Sequence, residues 1–177
     1  SYIGVNLDLS LKSLSAKKIT IVGAVNSPGT YLVNPFTTIS NSLAYSGGIQ
    51  EIGSLRNIKL IRSDGEQFQF DLYDLLIDGN RSSDLTIESG DVIMIQPAIK
   101  FIKISGEVNR PGTYELLPDE DLSDLLRFSL GFNGNENVSK ITLNQFDEKT
   151  TTINKVITSL TDTNLDNVLS VEIYPLM

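Results

Sequence analysis

One stretch of this chain occurs twice. Residues 19–31 read Ile-Thr-Ile-Val-Gly-Ala-Val-Asn-Ser-Pro-Gly-Thr-Tyr, and residues 102–114 read Ile-Lys-Ile-Ser-Gly-Glu-Val-Asn-Arg-Pro-Gly-Thr-Tyr. Nine of the thirteen positions are identical, from Ile19/Ile102 through Gly23/Gly106 and Asn26/Asn109 to Tyr31/Tyr114. The offset of 83 residues is too long for a solenoid repeat and suits a small domain, so the chain is a tandem duplication. The same offset holds through the following helical pattern, where Ile39 matches Leu122, Leu43 matches Leu126, Tyr45 matches Phe128 and Gly48 matches Gly131.

Each copy has a readable local shape. Ile19, Ile21, Val25 and Tyr31 alternate with small or polar residues, which predicts a half-buried strand. The glycine at 23 or 106 predicts a bulge or a close backbone approach. Asn-x-Pro-Gly predicts a type II turn, with proline fixing the first central φ and glycine taking the positive φ that follows. A helix is expected next, capped by Thr38, striped by Ile39, Leu43 and Ala44, and stopped by Gly47-Gly48. In the second copy Asp121 is the expected cap, and Leu122, Leu125 and Leu126 the stripe. A hairpin closed by Asp64-Gly65 follows, with its counterpart around Asp147-Glu148-Lys149; then come a short helix at Asp71–Leu76 and a strand at Val92–Ile95 matched by Leu169–Ile173. This order predicts an α+β fold of two tandem β-grasp, ubiquitin-like domains, each a sheet clasping one main helix. The expected boundaries are 17–98 and 99–177. Residues 1–16, with Ile3, Val5, Leu7, Leu9 and Leu11 in alternation, are expected to form a strand or linker.

Composition removes several function classes. The chain contains no cysteine and no histidine, so disulfides, thiolate catalysis, cysteine-held metal clusters and histidine general bases are all excluded. The net charge of −8 is unsuited to binding a nucleic-acid backbone or an anionic bilayer surface. No apolar run approaches the ~18 residues of a membrane span. Metal sites, cofactors and enzymatic activity are not expected. The acidic run Asp119-Glu120-Asp121 with Asp124 reads as a helix N-terminus in which negative charge offsets the macrodipole.

These residues also carry a resemblance. Val22-Gly23-Ala24-Val25-Asn26-Ser27-Pro28-Gly29-Thr30-Tyr31, the helix ending in Ala44-Tyr45-Ser46-Gly47-Gly48, Leu60 to Gly65, Asp71-Leu72-Tyr73 and Gly90 to Ile93 followed by Pro97 together resemble a soluble-ligand-binding β-grasp (SLBB) domain. They are most similar to the SLBB domains of bacterial outer-membrane polysaccharide export proteins. The second copy departs at Leu130, at Gln145 in place of Arg62, and at Asp166-Asn167. The resemblance implies a periplasmic, outer-membrane-associated module of a larger Gram-negative protein that serves capsule or exopolysaccharide export. Other envelope export subunits, a homo-oligomer of the full-length protein and the polysaccharide itself are its implied partners. A receptor for a small soluble ligand is the alternative.

Six residues are candidates for ligand contact. Asn26, Tyr31, Asn109, Arg110 and Tyr114 present amide, cationic and aromatic groups suited to the hydroxyls and CH faces of a sugar. The same residues also have a local reading, in which asparagine caps the turn and tyrosine packs on the helix. Arg62, beside Asp64, is either a polar ligand contact or half of an exposed strand-end pair.

Overall fold

The computed structural model describes residues 15–133, 138–146, 152–157, 163 and 165–175. The alternating segment expected as an N-terminal strand falls on residues 1–14 and lies outside them, as does the turn expected at Asp147–Lys149. The first unit runs β1 (Lys17–Gly23), β2 (Gly29–Val33), α1 (Ile39–Ser42) with a 3-10 turn (Leu43–Ser46), β3 (Gly53–Ile61), β4 (Gln67–Phe70), α2 (Leu72–Leu76) and β5 (Val92–Pro97). The second runs β6 (Phe101–Gly106), β7 (Gly112–Glu115), α3 (Leu122–Phe128), β8 (Val138–Phe146), β9 (Thr152–Ile157) and β10 (Val168–Pro175). The sheet orders are β2-β1-β5-β3-β4 and β7-β6-β10-β8-β9, the same topology twice. In each sheet the first and last strands of the unit pair in parallel and the other described pairings are antiparallel. The fold is therefore α+β, a mixed β-grasp sheet under one helix, repeated.

The duplicated residues carry the core. Ile19, Ile21, Ile58, Leu60, Ile93 and Ile95 point from three neighbouring strands toward Ile39 and Leu43, and all eight are buried. Ile102, Ile104, Ile141, Leu143, Val171 and Ile173 do the same beneath Leu122, Leu125 and Leu126. The glycine inside each repeat marks a close approach. A Cβ at Gly23 (φ 89°) would lie 2.0 Å from the Ile95 carbonyl oxygen, and one at Gly106 (φ 87°) 1.9 Å from that of Ile173. These are the positions where the first and last strands of each unit run side by side, Gly23 opposite Ile95 and Gly106 opposite Ile173.

Three local expectations are corrected. Gly29 and Gly112 do not take the positive φ of a type II turn. Each is the first residue of its strand, held extended by pairing with Ile21 or Ile104, and the left-handed residue is Gly23 or Gly106. Thr38 stands at the N-cap of α1 but its side chain caps nothing. Asp84 supplies the carboxylate instead, accepting from the Ser40 N–H at 2.9 Å and the Ser40 hydroxyl at 2.7 Å. The helix is also shorter than its stripe suggested: α1 passes into the 3-10 turn at Leu43, which leaves Ala44 exposed. By contrast Asp121 does cap α3, in a reciprocal box with Asp124.

The glycine geometry yields a paired prediction. Gly23→Ala combines a left-handed φ with a backbone clash, whereas Gly65→Ala meets a similar φ of 91° with nothing within 4 Å. Gly65→Ala is expected to cost about 1–2 kcal/mol and Gly23→Ala clearly more. Urea unfolding of the two variants measures the difference, and equal losses would contradict the close-approach role.

Candidate functional site

The two repeats meet end to end, and the side chains at the joint are unlike those the repeats share. Arg56 on β3 is 5% exposed. Its Nε donates to Asp71 Oδ2 at 3.0 Å and its Nη1 to Glu120 Oε2 of the second unit. The guanidinium lies 4.9 Å from the centroid of Tyr73 and 5.0 Å from that of Phe128. Burial alone would lower the Arg56 pKa; the bonds to Glu120 and Asp71 outweigh it and hold the pKa above its ordinary value. For Asp71 burial dominates and raises the carboxyl pKa, against the opposing pull of the Tyr73 N–H and of Arg56.

Beside this cation, the carboxylate of Glu115 on β7 is buried, accepting from the Ser54 hydroxyl at 2.5 Å and the Leu55 N–H at 2.8 Å. The Glu115 N–H donates to the Tyr73 hydroxyl at 2.9 Å. Tyr73 belongs by sequence to the first unit and by packing to the second, where it meets Phe128 edge-on at 5.1 Å. Leu55 and Ile77 pack against that same core. On the rim, Arg127 on α3 reaches Asp78 at 3.0 Å.

A cleft of about 170 Å³ opens along this joint, lined by Leu55, Tyr73, Leu76 and Ile77 of the first unit and Arg110, Thr113 and Tyr114 of the second. Two of the six candidates therefore line it. Tyr114 is buried and donates from its hydroxyl to the Arg110 carbonyl at 2.8 Å, while the Arg110 N–H donates to the Ser129 carbonyl at 2.9 Å. The backbone of Arg110 is thus fixed and its guanidinium side chain is exposed at the rim. Burial raises the Tyr114 pKa, with Arg110 pulling the other way.

The remaining candidates do other things. Asn26 and Asn109 tie their turns to the end of the helical segment: the Asn26 side chain donates to the Gly47 carbonyl at 2.7 Å, and Asn109 to those of Leu130 at 2.8 Å and Phe132 at 3.0 Å. Tyr31 closes its own turn through the Ser27 carbonyl and lies 6.4 Å from Tyr45. Arg62 does not pair with Asp64. It donates to the buried Asp91 at 2.7 Å and to the Thr86 carbonyl at 3.2 Å, toward the start of β1 and away from the Pro-Gly turn that follows its end. The acidic run is divided between tasks, with Asp121 and Asp124 capping α3 and Glu120 facing Arg56 while accepting from the Leu117 N–H at 2.9 Å.

Arg56, Tyr73 and Glu115 were not singled out as site residues from the sequence, and Glu120 was read only as part of a helix N-terminus, although a signal for three of the four existed. Position by position, Glu115 replaces Leu32, Glu120 replaces Thr37, and Ser139 stands where Arg56 does. Charges that appear in only one member of a close repeat mark what that member does alone.

The joint also predicts how the chain unfolds. Arg56→Ala leaves Asp71 and Glu120 in the interface without their cation, a loss of about 3–5 kcal/mol. Guanidinium unfolding followed by near-UV dichroism is expected to show one transition for the native chain and two for the variant. A single unshifted transition in both would mean that the ion pairs do not couple the units.

A family model described as SLBB domain matches residues 18–71 and again residues 101–154, together more than half of the chain. A search of curated proteins returned no match.

Proposed function

Because this chain belongs to the SLBB-domain family and carries the domain twice, we propose that it is a non-enzymatic binding and assembly module of a bacterial polysaccharide export protein, working in the periplasm at the outer membrane. SLBB domains are ligand-binding modules, which is the general role the family gives this pair. The export role rests on the match to SLBB domains and on the packed, ion-paired joint that ties the two small domains together. Domain pairs within a chain move relative to one another by default. Here a tyrosine of one unit is part of the other's core, and a buried arginine is shared between them.

The cleft supplies the contact with polymer. Tyr114 and Tyr73 give it aromatic walls, Arg110 a cation and Thr113 a hydroxyl. Its size supports the first of the two ligand readings. Pockets that enclose a small molecule run to roughly 300–1,000 Å³; about 170 Å³ fits the edge of one sugar ring in a longer chain. The receptor reading draws on the same cleft lying between the repeats.

Amide shifts of the labelled chain, followed during titration with acidic and neutral oligosaccharides, test this. The expected result is millimolar binding, about −4 kcal/mol, with shifts at Leu76, Arg110, Thr113 and Tyr114 and no shortening of the oligosaccharide. Arg110→Ala is expected to weaken the acidic oligosaccharide threefold to tenfold, roughly 0.6–1.4 kcal/mol, and the neutral one little. Tight saturable binding of a small compound would shift the reading to a receptor. Cytosolic fractionation of the native protein would remove the export role.

A further inference from the structure

The two sheets are alike on their buried faces and differ on their open ones. In the second sheet Ile102, Ile104, Ile141, Leu143, Val171 and Ile173 face the helix, so the side chains between them project from the other side. Strand register sets five of these in one row across all five strands: Thr113, Lys103, Ser170, Asn144 and Asn154. Every member is polar, and Thr113, Lys103 and Asn154 are exposed. The same row in the first sheet reads Thr30, Thr20, Val92, Ile61 and Gln67, apolar toward its centre. The next row repeats the change, with Ser105 and Glu172 standing where Val22 and Met94 do.

The margins change in the opposite sense. Phe101 and Phe146, 38% and 41% exposed, flank the polar rows on one side, and Tyr174, 37% exposed, flanks them on the other. At the equivalent positions the first sheet has Lys18, Ser63 and Gln96. The Tyr174 ring is held in place, its hydroxyl donating to Glu172 at 2.7 Å and its face 5.4 Å from the Lys140 ammonium. Thr142 Oγ1 and Asn144 Oδ1, on the same side of the sheet, are buried with no hydrogen-bond partner among the described residues. Polar atoms so placed cost stability, so packing does not account for these side chains.

Interfaces between proteins have an apolar centre within a polar rim. This face has the reverse layout, amides and hydroxyls in the middle and rings at both edges, which matches the hydroxyls and CH faces of a sugar chain. Its first member, Thr113, also lines the cleft between the units. From there the row crosses four strand spacings, about 19 Å. We propose that the open face of the second sheet is an extended polysaccharide-binding platform, on which the chain seated in the cleft continues from Thr113 to Asn154. This deepens the export reading and rests on it: the cleft takes the edge of one ring, and the sheet takes the sugar units that follow.

Oligomer length tests the platform, with cellohexaose and cellobiose as neutral probes and the hexamer and dimer of galacturonic acid as acidic ones. A hexamer is expected to shift the amides of Lys103, Ser170, Asn144 and Asn154 together with those of Leu76, Arg110 and Tyr114 in the cleft. A dimer is expected to shift the cleft alone. Phe101→Ala with Phe146→Ala is expected to weaken the hexamer about tenfold and leave the dimer unchanged. Asn154→Ala, exposed on an edge strand, is the second variant should the double substitution fail to fold, with a loss of about threefold expected. Shifts confined to the cleft at both lengths overturn the platform and leave the export reading standing, whereas no shift with any probe removes both. A mass that doubles with concentration while the same sheet residues shift also overturns the platform, assigning the face to a second copy.

Discussion

The arrangement depends on one buried cation. Removing a guanidinium from water is costly, and it persists only where carboxylates and further contacts replace the lost hydration. Arg56 has Asp71 on its own unit, Glu120 on the next, and the rings of Tyr73 and Phe128 at 4.9 and 5.0 Å on one side. A planar fork suits this site in a way an ammonium does not, since it addresses two acids in different directions while stacking on rings. Because its ligands come from both units, the arginine is satisfied only when they are docked. The joint therefore fixes the orientation of the pair, and the cleft beside it, with walls from both units, exists only in that orientation.

Divergence between the repeats follows the same electrostatic logic. The first unit buries Asp91 against Arg62; at the equivalent positions of the second unit stand Leu169 and Gln145, both neutral. Arg56 exists only where Glu120 exists opposite it. Charges are gained or lost together with their partners, because a lone buried charge is worse than either a pair or none. Such pairs add little net stability, but they exclude wrong neighbours: a unit lacking Glu120 would leave the arginine short of a partner.

How much of this was legible in the sequence varies with the range of the interaction. The element order, the close approaches at Gly23 and Gly106 and the cap at Asp121 rest on periodicity or on residues close in sequence, and their signals are in the string. The cap on α1 was not legible, because Asp84 lies 44 residues from Ser40. Arg62 was read against its neighbour Asp64, while its partner Asp91 lies 29 residues away across a sheet whose register the sequence does not state. The Pro-Gly turn was assigned from dipeptide chemistry, and strand pairing overrode it by extending Gly29 and Gly112. The joint lay between these extremes, visible in the positions where two near-identical repeats disagree.

Rigidity and weak binding are compatible in this design. Arg110 is held at the joint by its backbone, through the Ser129 carbonyl and the Tyr114 hydroxyl, while its charged end is exposed. The aromatic walls beside it are anchored in a core, so a passing sugar would meet preorganised surface and one adaptable cation. An open cleft of this size limits the area any single ring can bury, and hence the affinity of one contact. On the proposed reading that limit suits the task, since a polymer being exported must be guided by many contacts, each of which lets go. A deeper pocket would hold the polymer that this wall would have to release.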